Sequence, residues 1–400
     1  MKRIYITTII ACLFATAVAF WMHRLTANKQ EEVVVTKVGF VYVDDESAAY
    51  TSNFARSEDA LVSAYGDDIQ IIRKYNIPGD GCRVGIQELV DEGCDIIFGT
   101  SYEYEEEMKK AAQENPKIQF VEATGDNCMN PEVRNYHTFM GAVYEGRYVS
   151  GVAAGMKLKE LIKTGKIADI DAKVGYVAAF PYAEVISGYT AFLLGVRSVV
   201  PQATMTVKYT NSWSNYSLEK RYTHELIDEG CVIISQHSDT TGPAVACEEA
   251  ASSYTVYHVG YNRSMVDVAP TTSITGCRLN WSPYVVSAVG AIINHQPIES
   301  QVDATRTYGR DCVAGFDKGW VEMLDINEVI AADDTVEVVN QTVEELKQGK
   351  ITVFQGDYTG VNPEDPEDTV NLKDGFKENA HRSSPEFYYV LDDVITIEED

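Results

Sequence analysis

Five short segments concentrate the side chains able to read a small molecule. Asp44-Asp45-Glu46-Ser47-Ala48-Ala49-Tyr50 sets carboxylates a few residues ahead of an aromatic ring. Thr100-Ser101-Tyr102-Glu103-Tyr104 joins hydroxyls to two rings, and Phe180-Pro181-Tyr182-Ala183-Glu184 joins two rings to a carboxylate. Gln236-His237-Ser238-Asp239-Thr240 is dense in directional polar groups, and Tyr261-Asn262 sets a ring beside an amide. Rings stack on the faces of a flat heterocycle, while carboxylates and amides read its edge or the hydroxyls of an attached sugar. Asp45 or Ser47 is equally suited to capping the helix that follows, where the helix dipole favours acids. Catalytic signatures are missing: the sequence holds no GxSxG, HExxH, GxxxxGK[ST] or GxGxxG. His237 and Asp239 form a base–orienter pair in principle, yet no nucleophile in a recognisable setting accompanies them. No cysteine pair has zinc-knuckle spacing, so neither a metal nor a cofactor is expected.

An internal repeat says which elements must carry these segments. Lys37-Val38-Gly39-Phe40-Val41 recurs as Lys173-Val174-Gly175-Tyr176-Val177, and LVDEGCDIIFGTS (89–101) recurs as LIDEGCVIISQHS (226–238). The two matches have nearly one offset and keep the same order. Each contains a continuous β-branched and aromatic run, the pattern of a parallel strand buried on both faces. Helical patterns separate them, at Asn53–Tyr65 and Glu184–Val199. A further helix follows each second strand (Glu105–Glu114, Gly242–Ser252), then a third strand (Ile118–Val121, Thr255–Val259). Two similar doubly wound α/β lobes follow from this order. In such sheets the ligand crevice lies at the carboxyl ends of the strands, and all five segments sit there. The expected machine is a pair of lobes that closes on its ligand. The GxxxG at Gly151–Gly155 lies in a mixed helical run and reads as close helix packing.

The chain carries 33 Lys+Arg against 60 Asp+Glu, a net charge of −27. Such a surface repels phosphate backbones and anionic headgroups, which argues against nucleic-acid partners. Lys2 and Arg3 precede an uncharged run from Ile4 to Met22, long enough at roughly 28 Å to cross a bilayer core. It reads as a secretory signal peptide, a retained membrane anchor, or a lipid-attachment segment at Ile9-Ile10-Ala11-Cys12. All three readings place residues 31–400 outside the cytoplasm. Seven cysteines follow, at 82, 94, 128, 231, 247, 277 and 312. Mostly buried unpaired thiols are expected, with Cys82–Cys128 a candidate bridge.

With these loops in view, the chain resembles the basic-membrane-protein (PnrA-like) family of ABC-transporter substrate-binding proteins. KVGYVAAFPYAEVISGYTAFLLGVRSV (173–199), TNSWSNYSLEK (210–220) and ISQHSDTTGP (234–243) carry the resemblance. VGYNRSM (259–265), LNWSPY (279–284) and Tyr144-Glu145-Gly146-Arg147-Tyr148 add to it. The resemblance implies a type I periplasmic-binding-protein fold, two doubly wound parallel-sheet lobes joined by hinge strands, preceded by an N-terminal apolar helix. It implies a purine nucleoside or base as ligand and ABC permease subunits as partners. Carried over position by position, it names Asp45, Tyr50, Tyr102, Phe180, Glu184, Trp213, Gln236, His237, Asp239 and Tyr261 as ligand-binding, with Trp213 offering the largest stacking face. Asn262 stands where such proteins usually carry Asp, and Leu279 replaces an aromatic; both leave a free base or a modified heterocycle open beside a nucleoside.

The implied boundaries are 1–30 for the N-terminal segment and linker, 36–160 plus about 275–300 for lobe one, and 165–270 plus about 301–400 for lobe two. Thr271–Gly276 is expected to run back to lobe one as a hinge strand. The tail beyond Asp303 is less repetitive, with a Gly/Pro/Asp-rich turn region near 356–368 and a closing strand pair. The function read from all this is an extracytoplasmic solute-binding protein for a purine-type ligand, with the membrane reached through the N-terminal segment. A membrane-anchored ligand sensor and a nucleoside hydrolase are the alternatives.

Overall fold

The computed structural model describes residues 15–18, 21, 35–125 and 133–398. The apolar segment 4–22 therefore lies outside the described residues save for positions 15–18 and 21, and Cys12 and Cys128 lie outside them entirely. Cys82, Cys94, Cys231, Cys247 and Cys277 are buried free thiols.

The repeat is realised as two parallel sheets with one strand order. In the first copy β1 (Thr36–Val41), β2 (Ile69–Lys74), β3 (Ile96–Gly99), β4 (Gln119–Ala123) and β5 (Tyr136–Gly141) lie in the order 2-1-3-4-5. In the second, β6 (Lys173–Ala178), β7 (Thr204–Tyr209), β8 (Ile233–His237), β9 (Tyr257–Tyr261) and β10 (Ser273–Leu279) lie in the order 7-6-8-9-10. The registers match as well: Val38 faces Ile71 and Ile96, and its repeat mate Val174 faces Met205 and Ile233. Helices α1 (Ala49–Tyr65), α2 (Cys82–Asp91) and α3 (Glu105–Glu114) connect the first copy. After the crossing helix α4 (Val143–Lys163), α5 (Ala183–Val199), α6 (Tyr216–Asp228) and α7 (Gly242–Ala250) connect the second. The strand interiors are wholly buried at Val38, Phe40, Phe98, Val174, Tyr176 and Ile234, as a parallel sheet covered on both faces requires. This is the two-lobed, doubly wound architecture expected from the repeat.

Three segments fall in the opposite lobe from the expected boundaries. Helix α4 packs on α5 and β10, so 143–160 belongs with the second lobe. Strand β10 pairs in parallel with β9, so 273–279 stays in the second sheet instead of returning at Thr271–Gly276. Helix α8 (Ser282–Ile293) then packs on α1 in the first lobe. Beyond 301, β11 (Thr305–Arg306) and β12 (Asp311–Ala314) extend the first sheet beside β5. Strand β13 (Val321–Met323) pairs antiparallel with β10. The physical reason is a swap: the helix following the fifth strand of each sheet buries its apolar face against the other lobe. An amphipathic pattern fits either surface, so periodicity does not choose. Helix α9 (Thr335–Lys347) packs on α4. A small sheet of β14 (Thr359–Asn362), β15 (Asp365–Asn371) and β16 (Val390–Leu391) follows, and β17 (Ile395–Glu398) closes the second sheet beside β7.

The GxxxG helix packs closely, as read from the sequence. A Cβ on Gly151 would lie 2.0 Å from the carbonyl oxygen of Phe192, and one on Gly195 would lie 2.0 Å from that of Tyr148. Helices α4 and α5 thus meet backbone to backbone through reciprocal glycines.

Candidate ligand cleft between the lobes

The loops at the carboxyl ends of both sheets face each other across a cleft of about 710 Å³, open solvent included. The first lobe lines it with Asp44, Tyr50, Thr100, Tyr102, Glu103 and Thr124. The second contributes Tyr182, Glu184 and Trp213, then His237, Asp239, Tyr261 and Asn262.

One wall is aromatic. Phe180 stacks on Tyr182 with centroids 5.0 Å apart and planes at 10°, and meets Trp213 edge-on at 5.3 Å and 62°. Tyr102 of the first lobe approaches Tyr182 at 6.5 Å. On the opposite side Tyr50 is held by edge contacts to Phe54 and Trp281. The floor is polar. The Tyr50 hydroxyl, both His237 ring nitrogens, the Tyr261 hydroxyl and Asn262 Nδ2 are buried and have no hydrogen-bond partner among the described residues. Nε2 of His237 does lie 3.5 Å from Glu184 Oε1, a contact too long for a firm hydrogen bond. Unpaired buried polar atoms are costly, and Tyr50, His237, Tyr261 and Asn262, which each carry one, all line this cleft; Nδ1 of His237 turns instead toward Gly188 of α5.

Electrostatics make these groups mostly neutral. Burial pushes the Asp239 carboxyl up to about 8, with Glu219 and Asp44 adding to the rise and the Tyr50 backbone N–H opposing it. Burial also lowers His237, keeping its ring neutral near pH 7. Burial, with the charge of Asp45, raises Asp44. A neutral acid, a neutral imidazole and two phenols can each donate or accept, which suits a heterocycle edge that presents both. Among the described residues lining the cleft there is no Lys or Arg. A phosphate there would meet carboxylates and find no counter-charge.

Other residues hold the floor in place. The buried Glu219 carboxylate accepts from Ser238 Oγ at 2.8 Å, Thr240 Oγ1 at 2.7 Å and the Asn215 N–H at 3.0 Å. Asp239 N–H donates to the Trp213 carbonyl at 2.8 Å, tying two lining loops together. The Arg147 guanidinium lies 5.1 Å over the Tyr261 ring and donates to Tyr176 at 2.7 Å and Ser235 at 2.9 Å. The lobes touch where Asn53 Nδ2 donates to Asn262 Oδ1 at 3.0 Å. Asn262 takes a left-handed backbone, φ 63°, which an asparagine tolerates better than most residues.

Eight of the residues expected from the sequence are brought together here: Tyr50, Tyr102, Glu184, Trp213, His237, Asp239, Tyr261 and Asn262. Three are not. Asp45 accepts from the Ser47 N–H at 2.9 Å and shapes its own loop, while its neighbour Asp44 faces the cleft. Phe180 backs Tyr182 and Trp213 without lining the space. Gln236 is wholly buried beneath the floor, donating to the Ser238 and Thr240 carbonyls and bonding His258. Tyr182, Glu103, Thr124 and Asp44 were outside the expected set, although all but Thr124 belong to segments singled out at the start. Thr124 follows β4, the strand whose loop the repeat also marked.

A family model described as ABC transporter substrate-binding protein, PnrA-like, matches residues 31–353. The chain belongs to this family. Its members are substrate-binding proteins, so the chain is an extracytoplasmic receptor of an ABC transporter, with a small molecule and permease subunits as partners. It is 29% identical over 343 residues to a purine-binding protein from Brucella abortus, covering 85% of this chain and 88% of that one. It is 36% identical over 188 residues to a putative ABC-transporter glucose-binding protein from Haloferax volcanii, covering 47% of this chain and 43% of that one. Among solved structures it resembles a solute-binding protein from Aeropyrum pernix, with TM-score 0.64 at 14% identity over 83% of this chain and 95% of that one. That likeness speaks for the two-lobed fold.

The buried acids set a pH dependence. Asp239 is raised to about 8 and Glu145 to about 7, and Glu122, wholly buried with neither oxygen partnered among the described residues, is raised well above its usual value. A carboxyl raised in the folded state binds more protons there than in the unfolded chain. Its stabilising effect is complete below about pH 4 and is lost as pH rises through the folded value. Melting temperature should therefore fall by several degrees between pH 5.5 and 8.5, and Glu122→Gln should flatten that fall. A melting temperature that rises over this window would contradict the assignment.

Proposed function

We propose that this receptor binds a purine base or nucleoside between its lobes and hands it to an ABC permease, reaching the membrane through its N-terminal segment. The observation that carries the reading is the pairing of an aromatic wall with unpartnered, neutral polar atoms from both lobes in a cleft without cations. Flat, uncharged, hydrogen-bonding heterocycles satisfy all three features at once. The Brucella abortus relative, named a purine-binding protein, supports the same class. Among the described residues lining this cleft no Lys or Arg stands ready for a phosphate, which argues against nucleotides.

Contact from two sides favours closure. A ligand touching Tyr50 and Tyr102 from one side and Trp213, His237 and Tyr261 from the other makes its full set of contacts only when the lobes meet. Ligand therefore shifts the hinge equilibrium by its differential affinity. The Asn53–Asn262 bond adds to the closed form.

Thermal melting against a panel of purine bases, nucleosides, nucleoside monophosphates and hexoses tests the proposal. A bound purine at 100 times its dissociation constant should add about 2.7 kcal/mol of stability. Monophosphates should add far less. A panel in which glucose alone raises the melting temperature would favour the specificity named for the Haloferax volcanii relative and remove the purine reading.

A further inference from the structure

A second cavity, about 1200 Å³ with open solvent included, adjoins the cleft and shares Tyr102, Thr124, Tyr182, Glu184 and Trp213 with it. Its other side is built by a part of the chain that the family model does not reach. Asn362 and Glu364 come from the β14–β15 turn, and Arg382, Ser384 and Tyr388 come from the segment leading into β16. All of these lie beyond residue 353, where the family match ends.

This C-terminal segment is anchored to both lobes. On the second lobe, Arg197 Nε of α5 donates to the Tyr358 hydroxyl at 2.9 Å. On the first, the Ser383 N–H donates to Asp311 Oδ2 at 2.5 Å, and Asp311 belongs to β12. Within the segment, Asn362 Nδ2 and the Tyr388 hydroxyl both donate to Asp368 Oδ2, at 3.0 and 3.2 Å. The wall is thus internally braced and fixed beside the mouth of the cleft.

We propose that the C-terminal segment forms the second half of the ligand site and takes the hydroxyl-bearing substituent of a ligand whose flat ring lies against Tyr182 and Trp213. This rests on the purine reading above. The chemistry of the chamber selects the substituent. Glu184 and Glu364 stand against one cation, Arg382, so the lining is acidic on balance and disfavours a phosphate. Sugar hydroxyls donate to carboxylates and accept from a guanidinium or an amide, so a pentose meets the groups present. A free base would leave the chamber to water and gain nothing from it.

Calorimetric titration of the full chain with adenine, adenosine, hypoxanthine and inosine tests the proposal, using wild type, Arg382→Ala and Glu364→Trp. Glu364 is exposed on a turn, so the tryptophan fills the chamber without entering the core. Wild type should bind each nucleoside at least tenfold more tightly than its base. In both variants the ratio of nucleoside to base affinity should fall at least tenfold. A ratio unaltered in both variants, or a wild type that prefers the bases, overturns the chamber while leaving the purine cleft standing. Silence of the wild type toward all four compounds overturns both, and that outcome is distinct. Arg382→Ala misfolding would show as a lowered melting temperature, and Glu364→Trp then decides alone.

Discussion

Trp213→Ala is expected to weaken purine binding about 5- to 150-fold, since stacking of a base on an aromatic ring is worth about 1–3 kcal/mol. The ring lies against both Phe180 and Tyr182 on the cleft wall and is only partly buried in the protein itself. Its loss therefore falls mainly on the ligand. Melting of the ligand-free protein should move little, because the neighbouring loop is held by Glu219 and by the Asp239 N–H donating to the residue 213 carbonyl, neither of which uses the indole. Trp213→Phe should recover much of the loss by restoring a stacking face. An alanine variant with wild-type affinity would remove the aromatic wall from the binding account.

Gly151→Val should destabilise the protein by about 3 kcal/mol or more, the upper range for overpacking a core. The Cβ position faces the backbone carbonyl of Phe192, which no side-chain rotation can move aside. Helices α4 and α5 would have to separate. Both are almost wholly buried along this contact, with Phe192, Val152, Val196 and Ala153 packed around it. Because α4 also crosses from β5 into the second lobe, separation should loosen the hinge as well as the core. Thermal melting checks the first effect, and a small drop of about a degree would contradict the backbone-to-backbone contact. As a comparison, Gly165→Ala changes a position with open space around it and a φ of 71°, so any cost there is backbone strain alone.

The two sheets were legible because duplication wrote them twice. Val38 and Val174 occupy equivalent registers, and buried parallel strands have a recognisable apolar run. The crevice followed, since strand carboxyl ends define it. Individual side chains were harder. Gln236 and His237 are adjacent in β8, so they project to opposite faces, and only His237 reaches the cleft. Asp44 and Asp45 lie in a loop with no period to say which acid turns inward. The crossing of α4 to the second lobe left no trace in amphipathicity, because the face it presents is apolar whichever sheet receives it. The C-terminal wall had no repeat partner to reveal it. Its Asp311–Ser383 tie spans residues far apart in the chain, and no short-range pattern encodes such a contact.

On the proposed function, one flat, uncharged heterocycle is held by both lobes at once. Isothermal titration of the purified protein with a purine nucleoside, its 5′-monophosphate and glucose tests this most directly. One site per chain is expected for the nucleoside, with the monophosphate and glucose giving no saturable heat. Saturable binding of the monophosphate or of glucose, with the nucleoside silent, would contradict it.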